Sequence, residues 1–157
     1  MTGQLGAVNL NERIASIKKS LAEHPKINIV AAEGTEDIWP RRSQPPSRSA
    51  RWARMSLKGI FGVSQVGGSA VSKVMATKEF GSKKGTVKVF AFDDLLDTVK
   101  GLKQSDIQGT MVQRPVTMGK MLVEHLVNQI NGKETAPKDL DTGVNVVTSQ
   151  NLTSYTK

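Results

Sequence analysis

Cysteine is absent from the 157 residues. Disulfides and thiolate metal sites are therefore excluded. No run approaches the roughly 18 consecutive apolar residues that a membrane-spanning helix needs. The start, MTGQLGAVNLNERI, has no basic stretch followed by an apolar run, so no signal peptide is visible. Aromatic residues make up only 4% of the chain, and the core must be mostly aliphatic. Acidic residues are missing from one long stretch, 38–55, which also holds both tryptophans and three of the six prolines. His24 and His125 lie far apart on helical patterns, where packing or surface roles are the ordinary reading. No metal-ligand spacing, nucleophile elbow, P-loop or catalytic carboxylate pair is present. Nothing here implies a cofactor or an enzyme.

What is present fits one domain. Hydrophobic content is 38% and charged content 23%, as in globular chains. The net charge of +8 would by itself point to an anionic partner. Five of the seven arginines, however, lie between residues 41 and 54, so the basic character belongs to that segment.

Along the chain, apolar patterns of helical and strand type alternate. Asn9 and Glu12 have the spacing of a capping box. Leu10, Ile14, Ile17 and Leu21 then mark one face of a helix. The run 27–32 (INIVAA) reads as a buried strand, and 58–63 (KGIFGV) as a second apolar run. A loop over 64–69 and a helix through Ala70, Val71, Val74 and Met75 are expected next. The stretch 86–92 (TVKVFAF) is the clearest strand. A short helix through Leu95, Leu96 and Val99 is expected to stop at Gly101, and 109–113 (GTMVQ) to form another strand. Pro115 suits the first turn of a long helix, where its missing N–H costs nothing. Met118, Met121, Leu122, Leu126 and Ile130 give that helix an apolar face, and Asn131-Gly132 ends it. The run 142–147 (TGVNVV) is a last strand. Such alternation predicts an α/β sandwich of three layers around a mostly parallel sheet. Ligands of such sheets meet the loops at the carboxyl ends of the strands. Those are the loops after residues 32, 63, 92 and 113.

Residues 38–55 break this order. A helix belongs between the runs 27–32 and 58–63, and Pro40, Pro45 and Pro46 oppose one. Three readings stand. The segment is a basic arm for nucleic acid, an irregular loop, or the product of a reading-frame shift. Permitted codons for Ile38–Arg48, read in the neighbouring frame, encode an alanine-rich amphipathic helix former.

Five stretches together resemble the periplasmic sugar-binding proteins of type I related to ribose-binding protein, which serve ABC transporters. They are 2–21, 58–75, 85–94, 107–134 and 142–152; the most specific pieces are Phe92-Asp93 and Gln113-Arg114-Pro115 with Met118-Gly119. The family has two α/β lobes with a sugar between them. The resemblance implies that 1–157 is a partial domain. Residues 1–113 would form most of the second lobe, 114–141 a crossover whose helix packs on the first lobe, and 142–157 the C-terminal strand and tail. It implies a monosaccharide ligand and a permease partner, and a periplasmic location for the full-length family. With no signal peptide visible, the cytoplasm stands as the alternative for this chain. The alternatives in function are the effector lobe of a sugar-responsive transcription regulator and a nucleic-acid-binding protein using 41–54. A single lobe leaves a sugar half solvated, so weak or no binding is expected, and the apolar face of 115–131 invites self-association.

The resemblance also assigns site residues. Asp93 would accept hydrogen bonds from sugar hydroxyls; the ordinary alternative is a helix cap. Gln113 would donate and accept at the third crossing between lobes, or simply end a strand. Arg13 would offer its planar fork to two hydroxyls, or pair with Asp93 when no ligand is present. Phe92 would supply a stacking face, though a strand phenylalanine is more often core. Ser64 and Gln65 stand where many members carry Asn-Asp, which puts the usual carboxylate contact there in doubt.

Overall fold

A computed structural model describes residues 6–32, 56–133 and 139–155. The elements, in order, are α1 (Val8–Leu21), β1 (Gly59–Phe61), α2 (Gln65–Met75), α3 (Lys78–Gly81), β2 (Lys88–Phe92), α4 (Leu96–Lys103), β3 (Gly109–Gln113), α5 (Pro115–Ile130) and β4 (Val144–Thr148). The fold is mixed α/β. The four strands lie in the order of the chain, with β1, β2 and β3 parallel and β4 antiparallel to β3.

Alternation along the strands explains the layers. Ile60, Val89, Ala91, Val112 and Val147 are buried, and they form one core with Val71, Val74 and Met75 of α2 and Leu102 of α4. Glycine permits the close approach of α2. A Cβ on Gly68 would stand 2.9 Å from the Ala91 Cβ and 2.7 Å from the Thr98 hydroxyl. The opposite face carries Phe61 and Phe90, stacked at 6.5 Å and both partly exposed. Helix α1 meets that face at its carboxyl end, where Arg13 lies over Phe92. The expected helix between residues 38 and 55 lies outside the described residues, as does the whole arginine-rich segment.

Several expectations need correction. The run 27–32 makes no strand, and Ile27, Ile29 and Val30 are exposed. An apolar run becomes a strand only where a neighbour completes its ladder, and none of the four described strands pairs with this one. Helix α1 starts at Val8 with Ala7 as its cap, so Asn9 lies inside the first turn and makes no capping bond. The stretch 64–69 is the opening of α2 rather than a loop, because the Ser64 hydroxyl accepts the Gly67 N–H at 3.2 Å. Gly101 sits within α4, not at its end. A side chain there would press on Ile107 and the Ser72 hydroxyl. The last strand begins at Val144 and runs to Thr148.

Helix α5 has Pro115 in its first turn and closes as expected. Gly132 has φ 64°, with the Lys133 N–H on the Asn128 carbonyl and the Gly132 N–H on the Gln129 carbonyl. None of its residues is buried, and Val116, Leu122, Val123, Leu126, Val127 and Ile130 are exposed.

The Thr98 hydroxyl is wholly buried and has no hydrogen-bond partner. An unmet buried hydroxyl costs about 1–3 kcal/mol. Thr98→Val keeps the shape and removes that cost, so it should raise stability by about 1 kcal/mol. Urea unfolding of both forms checks this; a lower midpoint for Thr98→Val would contradict it.

Candidate functional site at the carboxyl ends of β2 and β3

Three of the residues singled out above converge where β2 and β3 end. Asp93, the first residue past β2, has φ 60°. That left-handed turn is tolerated by aspartate better than by most side chains. It is held from β3 on two sides. The Asp93 N–H donates to the Met111 carbonyl at 2.8 Å, and the Thr110 hydroxyl donates to the Asp93 carbonyl at 2.6 Å. The Gln113 side-chain amide donates to both carboxylate oxygens at 3.2 Å, and its backbone N–H reaches one of them at 3.4 Å. Helix α4 begins at Leu96 with Leu95 as its cap and no side-chain capping bond. The capping alternative for Asp93 therefore falls away.

Arg13 comes from α1, eighty residues earlier in the chain. One terminal N–H donates to the Val63 carbonyl at 3.0 Å. The guanidinium carbon lies 3.6 Å from the centre of the Phe92 ring. Burial lowers the pKa of Arg13, and the nearby Asp93 charge opposes that shift; a guanidinium stays charged at neutral pH regardless. Arg13 has no ion pair of bonding length with Asp93 among the described contacts. The Phe92 ring thus has one face occupied by a cation, and the expected stacking surface for a sugar is taken on that side. Ser64 is buried and serves as the cap of α2, while Gln65 is exposed on the first turn. Neither bonds to the Arg13, Asp93 and Gln113 group.

Sequence reading missed Tyr155. Its hydroxyl donates to the Asp94 carboxylate at 2.7 Å across 61 residues, which ties the C-terminal tail to the loop after Asp93. No local pattern signals such a contact. Thr110 was also missed, though a threonine with 1% exposure inside a strand calls for a hydrogen-bond partner. A 390 Å³ groove beside β4 is lined by Arg114, Asn145, Asn151 and, among others, Tyr155 itself. Among the described residues, no group of three or more His, Cys, Asp or Glu could hold a metal ion, and no helix is long and apolar enough to cross a membrane.

A family model described as periplasmic binding protein domain matches residues 1–134. The chain belongs to that family. Solved structures agree with it. An ABC transporter solute-binding protein from Burkholderia graminis, in complex with D-arabinose, is 59% identical with a TM-score of 0.81, over 99% of this chain and 54% of that one. A sugar-binding protein of a sugar ABC transporter from Bacillus halodurans is 26% identical with a TM-score of 0.77, over 99% and 56%. A solute-binding protein from Agrobacterium vitis, at 22% identity and a TM-score of 0.79 over 98% and 50%, supports the fold alone. The chain thus spans about half the length of the solved relatives it matches. A comparison with curated proteins returns no match.

Burial and the bond to Asp94, with the charges of Asp94 and Asp93, push the Tyr155 hydroxyl from 10 up to about 12. The folded chain then holds this proton more tightly than the unfolded chain. Its contribution to stability is complete below about pH 10 and is lost as pH rises towards about 12. Tyr155 is the sole tyrosine, so phenolate absorbance reports it alone. A spectral titration should give a midpoint near 12; a midpoint near 10 would show that the tether does not form.

Proposed function

We propose that this chain forms a sugar-binding lobe of the solute-binding component of an ABC importer, and that Asp93, Arg13 and Gln113 bind a monosaccharide. The observation that supports it most is their convergence at the carboxyl ends of β2 and β3, where open α/β sheets receive ligands. The chemistry is complementary. Asp93 is a charged acceptor with lone pairs left over after Gln113 is satisfied. Arg13 spends one N–H on Val63 and keeps its other donors. Gln113 spends its amide N–H groups on Asp93 and keeps its amide oxygen. A donor, a charged acceptor and a neutral acceptor side by side suit adjacent hydroxyls, each of which both donates and accepts.

The close relative that binds D-arabinose makes a pentose the first ligand to test. Ser64 and Gln65 at the start of α2 are the next candidates for contact. The exposed apolar face of α5 fits a crossover that packs on a first lobe, and the permease and the periplasm follow from the same reading. Hydrogen-bonding groups gathered at the end of a sheet suit a binding module.

Titration of D-arabinose into the labelled chain should move amide signals around 93, 94 and 113, with a dissociation constant in the millimolar range expected of a half-open site. A charge-assisted hydrogen bond contributes about 1.5–3 kcal/mol. Asp93→Asn should therefore weaken binding about 10- to 100-fold while the strand signals stay in place. Overlaid titration curves for the two proteins would sink the reading.

A further inference from the structure

We propose that Phe92 is a positioning residue for ligand binding, acting through Arg13 rather than by touching the ligand; the inference rests on the sugar-binding reading above. Arg13 has few other supports. It rides on α1, whose single buried residue is Leu10, one turn earlier on the same side of the helix. Its one hydrogen bond among the described residues, to the Val63 carbonyl, fixes a single nitrogen and leaves the plane of the guanidinium free to pivot. The ring of Phe92 removes that freedom. A separation of 3.6 Å from the ring centre is face-on contact, in which a planar cation lies against the negative face of the ring.

Phe92 is itself set by the sheet. It is the last residue of β2, paired with Met111 of β3, and it immediately precedes Asp93. One strand end therefore orients both charges of the site, the carboxylate through its backbone turn and the guanidinium through the neighbouring ring. The remaining N–H groups of Arg13 are then presented beside Asp93 before any ligand arrives. Preorganisation of this kind strengthens binding by lowering the ordering cost. The same face of the ring is unavailable for stacking on a sugar, which separates this role from the direct one.

A double-substitution cycle on the full chain tests it, with D-arabinose as the probe and binding read by nuclear magnetic resonance. Phe92→Leu should weaken binding about 3- to 30-fold, and Phe92→Tyr should restore most of it. In an Arg13→Met background, Phe92→Leu should have no further effect. Equal losses in both backgrounds would mean that the ring meets the sugar itself and would overturn the proposal. A second readout needs no ligand. The Arg13 side-chain N–H signal should carry a ring-current shift that disappears in Phe92→Leu; an unshifted signal in the unsubstituted protein would also overturn it. A shifted Arg13 signal together with no sugar response would retire the sugar reading and leave the positioning contact standing.

Discussion

The left-handed backbone at Asp93 is the constraint on which the site depends. At φ 60° the chain leaves the plane of β2 and aims the Asp93 carboxylate at the end of the sheet. For an L residue this conformation costs about 1–2 kcal/mol. It persists because β3 supplies three partners in register. Met111 accepts the Asp93 N–H, Thr110 donates to its carbonyl, and Gln113 donates to its carboxylate. All three lie on one five-residue strand, so a slip of β3 by one residue would strip the turn of its bonds and remove Gln113 from reach. Tyr155 then holds the next residue, Asp94, from the C-terminal tail.

Packing beneath the sheet keeps that register. Helix α2 presses on the face of Val89 and Ala91, α4 packs against α2 with Leu102 in the same core, and glycine sets how near they come. Gly62 passes the α2 backbone so closely that a Cβ there would stand 2.9 Å from Gly67. Gly68 and Gly101 do the same against Thr98 and Ile107. The contact leaves the Thr98 hydroxyl without a partner, a cost accepted where the fit between helix and strand is tightest. Ser69 and Lys73 of α2 reach the Asp97 carboxylate of α4 at 2.7 and 3.1 Å, which adds a polar clasp at the edge. The Ser69 hydroxyl chiefly, then Lys73, lowers the pKa of Asp97.

Much of this was legible in the residues. Strand β3 is legible to the residue, and β2 to within two, the latter because its dense β-branched and aromatic run leaves few alternatives. Pro115 and Asn131-Gly132 bound α5 for reasons of backbone geometry that hold in any context. Arg13, Asp93 and Gln113 came from a resemblance, since no periodicity brings residues 13, 93 and 113 together. What failed did so where the answer lay elsewhere in the chain. Composition marks 27–32 as apolar but cannot say whether a neighbouring strand completes its ladder. Gly101 has the look of a stop signal, and only the nearness of Ile107 and Ser72 gives it another use. Ser64 capped a helix where glycines suggested a loop. The Tyr155–Asp94 tether and the Arg13–Phe92 stack are long-range contacts with no local trace.

In the proposed function Asp93 is the acceptor of ligand hydroxyls. The most direct test of that role is a crystal structure of the chain grown with saturating D-arabinose. The sugar is expected at the carboxyl ends of β2 and β3, with a hydroxyl on the Asp93 carboxylate, another on Arg13, and the guanidinium still seated on Phe92. A sugar bound in the groove beside β4, or ordered with no contact to Asp93, would contradict the account.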